Sequence, residues 1–268
     1  RHRALIRTTV PLLNDDAVLS HCSAALLWGL PVPRRLLTKV HVTHDRPGGG
    51  HVRTWTHTHS SALPSLEIAE VEGLRITSLA RTAVDTARLC SNQEALQIVD
   101  AAWRMLDTPT DLAAACEMAG RCHGIRAARW ALAHADPRSE SPGESLSRYW
   151  MIMGKIPTPT LQLEILDPGG NFVARADFAW EEYRVLGEFD GRIKYASSLN
   201  GQPLAEVVMR EKERENRLRA LGWWVYRWTW DDLRHGQRRH GGNGAGQGQC
   251  ARQGVVVRHH LADQAQAQ

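Results

Sequence analysis

From Asp16 to Leu30 apolar residues recur at helical spacing, with Ala17, Val18, Leu19, Cys22, Ala25, Leu26, Leu27 and Leu30 in phase, until Gly29, Pro31 and Pro33 break the run. That pattern predicts one short buried helix. Alternating runs follow at Lys39 to Thr43 and Val52 to His57, joined through Pro47-Gly48-Gly49-Gly50, and at Leu66 to Thr77, where the Glu72-Gly73 step can turn a hairpin. These predict a small sheet. Helical periods return at Ser78 to Leu89, Asn92 to Met105, Thr110 to Gly120 and Ile125 to Ala135, the second opened by a capping box of Ser91 and Glu94. Residues 1–135 therefore read as an α+β domain.

Asp136 to Gly143 is polar and carries two prolines, the composition of a linker. Beyond it the pattern predicts a helix at Glu144 to Met153, then strands at Leu161 to Leu166, Phe172 to Trp180 and Arg184 to Asp190. A long charged helix at Leu204 to Leu221 and an aromatic strand at Trp223 to Trp230 complete the series. Residues 144–234 thus form an α/β domain of order α-β-β-β-α-β. From His235 to Gln268 the sequence turns to Gly, Gln, His, Arg and Ala and is expected to be a disordered tail, because it has too little apolar surface to bury.

The 268 residues are enough for two modest domains with separate cores. No apolar stretch approaches the roughly 18 residues that span a bilayer, and no secretory leader opens the sequence, so a cytoplasmic chain without a membrane partner is expected. The chain begins at Arg1 rather than Met, which leaves room for a natural N-terminal segment ahead of it. Five scattered cysteines without a C-x-x-C pair point to reduced thiols, not to disulfides or a zinc knuckle. A net charge of +4 permits a polyanionic partner without requiring one.

The chemistry concentrates in Val185-Leu186-Gly187-Glu188-Phe189-Asp190-Gly191, where Glu188 and Asp190 share one strand face, with Asp177 one strand earlier and Glu144 at the start of the preceding helix. Like charges this close are tolerated when a hard cation such as Mg²⁺ holds them, and such an ion polarises a phosphate and acidifies bound water. The alternative is structural: Glu144 complements its helix dipole, while Glu188 and Asp190 pair with Arg175, Arg184 or Arg192 on a solvated strand. Strand order favours the metal.

Ser141-Pro142-Gly143-Glu144-Ser145, Ala176-Asp177-Phe178, the run from Glu188 to Tyr195, and the stretch from Glu213 to Trp228 together resemble the PD-(D/E)XK nuclease superfamily. Within it, they are most similar to actinobacterial-type proteins with a domain like the very-short-patch-repair endonuclease. The resemblance covers Ser141 to Leu233. It implies a restriction-endonuclease-like core and Mg²⁺- or Mn²⁺-dependent cleavage of DNA, with Glu144, Asp177 and Glu188 as site acids; the carboxylate cluster itself adds Asp190 to Asp177 and Glu188 as an expected metal ligand. Asp190 stands where the superfamily usually has its lysine, and Lys194 is the substitute ammonium.

Arg210, Arg214 and Arg217 form a basic helical stripe suited to phosphates, although Glu206, Glu213 and Glu215 stand four residues before Arg210, Arg217 and Arg219 and can neutralise part of it. The tryptophans from Trp223 to Trp230 read as core. His57 and His59, with His41 and His44 nearby, lack an accompanying acid or cysteine at ligand spacing, and no metal role is assigned to them. The runs from Ser20 to Leu30 and from Gly73 to Asp85 resemble the AbiEi antitoxin family, which implies a regulatory module that binds DNA or a toxin partner. Two functions follow: a Mg²⁺-dependent DNA endonuclease in phage defence or repair, or a catalytically inactive regulator of toxin-antitoxin type.

Overall fold

The computed structural model describes residues 1–191 and 204–234. Lys194 and the tail from His235 lie outside the described residues. The chain divides between Ser145 and Leu146 into two units, a few residues beyond the expected linker and inside the helix that follows it.

The first unit opens with α1 (His2–Thr9), a helix not expected from the sequence. The predicted helix from Asp16 divides into the strand β1 (Val18–Leu19) and α2 (His21–Trp28), because the backbone stays extended through Ser20, at φ −147° and ψ 179°, and the helix begins only after it. Gly29, at φ +80°, ends α2 in the left-handed conformation that glycine adopts without steric penalty. The strands β2 (Val40–His44), β3 (His51–Val52), β4 (Thr56–Ser60), β5 (Ile68–Val71) and β6 (Leu74–Thr77) complete a mixed sheet of order β3-β4-β2-β1-β6-β5. Its parallel pairs are β1 with β6 and β2 with β4. The β5–β6 hairpin turns at Glu72 and Gly73, both at positive φ, as the sequence predicts.

Val40 and Val42 pack with Ile6, Ala24, Leu27 and Ile76 in one cluster. A second cluster joins α3 (Leu79–Ala87), α4 (Asn92–Arg104), α5 (Thr110–Met118) and α6 (Ile125–His134). Fully buried Ile98 and Leu112 each contribute about 1.5–3 kcal/mol of burial there. The expected capping box holds α4, the Ser91 N–H donating to Glu94 at 3.1 Å.

The second unit carries α7 (Pro142–Met153), whose first turn precedes the division, followed by β7 (Thr160–Leu166), β8 (Phe172–Trp180), β9 (Val185–Asp190), α8 (Leu204–Ala220) and β10 (Trp224–Thr229). These strands form a mixed sheet of order β10-β9-β8-β7, antiparallel except for the β9–β10 pair. A parallel neighbour requires a crossover, and α8 lies in the connection between those two strands. Phe178, Trp180, Val185 and Trp228 pack with Leu146 and Met151 of α7, whereas Leu186, Trp223 and Val225 pack with Leu218 of α8. The sheet is thus buried on both faces. Trp223 and Trp228 are core, as expected, but Trp224 is exposed, and Trp230 begins a short helical turn instead of ending the strand.

Candidate functional site

Alternation along β9 sends Val185, Gly187 and Phe189 to the α7 face and Leu186, Glu188 and Asp190 to the α8 face. On β10 the register sets Arg227 beside Glu188, so an acid and a base meet as parallel neighbours on one face. From α8, Glu211, Arg214, Glu215 and Leu218 follow at three- and four-residue spacing and present one stripe to that face. Arg214 clasps Glu188 with two parallel bonds, Nη1 to Oε1 at 2.7 Å and Nη2 to Oε2 at 2.9 Å, and Arg227 Nε donates to Oε2 at 2.8 Å. Arg227 also reaches Glu211 at 2.6 Å and Glu215 at 3.1 Å, while Arg214 Nη2 donates to Glu211 at 2.6 Å. Two arginines and three carboxylates therefore form one network. Burial alone would raise the Glu188 pKa; the hydrogen bonds from Arg214 and then Arg227 outweigh it and hold the carboxyl below its ordinary range.

Asp177 extends from β8 to the same face as Glu188, and its Oδ2 accepts the Phe189 N–H at 2.7 Å. That bond turns its carboxylate toward β9, next to Glu188. Asp190 ends β9, half-buried, in register with Thr229. Asp177, Glu188 and Asp190 thus share the face that the sequence predicts. Glu188 is ion-paired, as the structural alternative expects, but its arginines among the described residues are Arg214 of α8 and Arg227 of β10, not Arg175 or Arg184; Arg192 lies outside the described residues. Glu144 is buried at the start of α7, where its Oε2 accepts the Glu140 N–H at 2.8 Å and its Oε1 accepts the Ser141 hydroxyl at 2.7 Å. This carboxylate caps its own helix.

The basic stripe divides. Arg214 turns inward, whereas Arg210 and Arg217 are about half exposed or more; Arg210 lies 3.7 Å from Glu206 and Arg217 lies 3.9 Å from Asp167. Arg219 pairs with Glu215 at 2.6 Å, as its spacing predicts.

A second cluster lies in the first unit, among histidines to which the sequence reading assigns no metal role. The β2–β4 register sets His41 beside His57 and Thr43 beside His59, which places His41, His57 and His59 on one sheet face. His21, the first residue of α2 at φ +49°, stacks its ring on His59 with centroids 3.6 Å apart. His41 Nδ1 faces His59 Nε2 at 3.0 Å, and each of His21, His41 and His59 offers one ligand atom within 4.8 Å of the others. Burial drives all three rings toward the neutral form: His21 is pushed well below its ordinary value, His41 to about 4 and His59 to about 2. His57 and His59 were visible as an alternating pair. His21 was not, because it is brought in from another element by tertiary packing.

No protein-family model matches the chain. Among the described residues no helix is long and apolar enough to cross a membrane. The chain is similar to two uncharacterized proteins of Mycobacterium tuberculosis, one from strain H37Rv and one from strain CDC 1551. Each is 36% identical over 169 residues, which covers 62% of this chain and 59% of the relative's length.

Proposed function

We propose that the chain is a metal-dependent DNA endonuclease, similar to the PD-(D/E)XK enzymes of very-short-patch-repair type, with a regulatory first unit resembling the AbiEi antitoxins. One observation carries this reading: Asp177, Glu188 and Asp190 share one face of adjacent strands in a unit whose elements run α7-β7-β8-β9-α8-β10, the order expected of a restriction-endonuclease-like core. Three carboxylates are hard oxygen donors and fit Mg²⁺ or Mn²⁺ in kind. Such an ion, when bound, polarises the scissile phosphate and acidifies the attacking water. Asp177, whose Oδ2 accepts the Phe189 N–H, and Asp190 supply the carboxylates beside Glu188. Arg214 and Arg227 neutralise Glu188, and they must yield part of its carboxylate to a cation. The resemblance adds Glu144 and Lys194 to the catalytic set, and Arg210 and Arg217 supply exposed charge for the DNA backbone.

A specific feature favours a second reading. Both oxygens of Glu188 are held by guanidinium groups, and Asp190 occupies the usual lysine position, as in a catalytically inactive scaffold that binds DNA or a toxin partner. Purified chain is to be incubated with supercoiled, mismatched and single-stranded DNA in Mg²⁺, Mn²⁺ or EDTA, beside Asp177→Ala and Glu188→Ala. Metal-dependent nicking that both substitutions abolish supports the nuclease. DNA binding with no cleavage of any substrate supports the regulator.

A further inference from the structure

The histidine cluster lies in the first unit, apart in sequence from the carboxylates, and the proposed nuclease chemistry makes no use of it. We propose that His21, His41 and His59 form a three-imidazole site for a late first-row divalent cation of the zinc class, with a fourth position left for water or an anionic oxygen.

The geometry is close to what such an ion demands. Tetrahedral zinc with bonds of about 2.0–2.1 Å holds its nitrogen ligands about 3.3–3.4 Å apart. Here one pair stands at 3.0 Å and all three ligand atoms fall within 4.8 Å of one another, so small ring movements close the site. His41 Nδ1 and His59 Nε2 face each other at hydrogen-bond distance, where one donates a proton and the other accepts. A cation takes both lone pairs once the donor ring carries its proton on its other nitrogen. That tautomer change leaves each ring neutral.

The surroundings are those of a held site. His21 Nδ1 contacts the Ser20 hydroxyl at 3.0 Å, and Ser20 in turn accepts a bond from Thr43 at 2.8 Å, which fixes the ring from outside. The Ser23 hydroxyl accepts the His41 backbone N–H at 2.9 Å and fixes β2 against α2. His21 adopts a left-handed backbone that a non-glycine residue enters at a cost, and this conformation brings its ring onto His59. Nor does a net positive shell oppose a dication. Arg81 and Arg88 act on His21, but Asp85 and Glu67 pair with them, two charges of each sign. Burial keeps the rings in the neutral state that binds metals, and half-buried His57 and His59 leave one side of the cluster open to solvent.

The test uses the full chain, freed of metal by chelator and titrated with Co²⁺, then with Zn²⁺. The expected result is one equivalent of Co²⁺ with the visible d–d absorption of a tetrahedral site, displaced by Zn²⁺ and untouched by excess Mg²⁺. His41→Ala and His59→Ala each weaken that binding by at least about 100-fold, since even outer-shell partners are worth about 10–100-fold. Asp177→Ala and the combined change of His235, His240, His259 and His260 to alanine keep it. Should an alanine variant fail to fold, histidine ring ¹⁵N spectra of the unaltered chain decide, with three imidazoles shifting together on Zn²⁺ addition. A wild-type chain without the tetrahedral band, a band kept by both His41→Ala and His59→Ala, or Zn²⁺ shifts on other histidines would overturn the assignment.

Discussion

Gly187 shows how a single position controls the second unit. A Cβ built there would lie 2.5 Å from the Trp228 ring and 3.3 Å from the Phe178 side chain, and those two rings stack with centroids 5.3 Å apart. Trp228 is further anchored by its Nε1–H, which donates to Ser147 at 2.7 Å, so the indole cannot retreat cheaply. Gly187→Ala is therefore expected to cost about 1–3 kcal/mol through overpacking, read as a lowered urea midpoint with an unchanged slope. The buried thiols give a second prediction. Burial raises both Cys22 and Cys90 to about 12, and each resists ionisation in the folded chain. At pH 8 these two are expected to be silent toward a thiol reagent that labels exposed Cys122, with mass spectrometry of the labelled peptides as the readout. Because the folded pKa lies above the ordinary 9.0, stability from keeping these thiols protonated is whole below pH 9 and is lost as pH rises toward 12. A denaturant midpoint that falls less steeply across that alkaline window in a Cys22→Ala/Cys90→Ala variant than in the parent assigns the effect, the remaining fall belonging to other groups raised by burial, Cys116 and Tyr226.

At the scale of elements, α3 is tied to the segment before β5 by one buried cation. Arg81 donates to Asp85 at 2.6 Å and to Glu67 at 2.5 Å, and all three side chains are almost fully buried. Removing the guanidinium strips buried Glu67 of its ion pair and leaves buried Asp85 with Arg88 alone. Arg81→Met is expected to cost about 3–5 kcal/mol at neutral pH, measured by thermal or urea unfolding, and pairing it with Asp85→Asn and Glu67→Gln should recover much of the loss. The i to i+4 spacing made the Arg81–Asp85 pair readable in the sequence, but Glu67 was not, since its contact depends on how the chain returns. The same division runs through the rest of the molecule. The β5–β6 hairpin and the α4 cap were legible because local backbone chemistry decides them. The strand β1 was absorbed into a predicted helix because Ala17, Val18 and Leu19 continue the apolar run into α2 without a change of composition. The common face of Glu188 and Asp190 followed from strand alternation. The arginines that hold Glu188 did not, because Arg214 lies 26 residues away and Arg227 lies 39 residues away, and strand pairing brings the latter in.

Across the whole chain the two candidate sites ask for different ions. The acids of β8 and β9 offer hard oxygen donors, which suit Mg²⁺ or Mn²⁺, whereas the imidazoles of α2, β2 and β4 suit zinc or its neighbours in the first-row series. They also fall in different units of the chain, with no ligand residue in common. If both proposals hold, single substitutions should separate them. Asp177→Ala is expected to abolish Mg²⁺-dependent DNA nicking while one equivalent of tetrahedral Co²⁺ remains, and His59→Ala to abolish the Co²⁺ site while nicking persists. Both measurements are made on the same full-length preparations, with circular dichroism to show that each variant is folded. Loss of nicking together with the Co²⁺ site in folded His59→Ala would mean that the first unit licenses the second. Retained Co²⁺ binding without cleavage in the wild type would leave the imidazole site standing and assign the second unit to binding, with Glu188 serving its two arginines and not a cation.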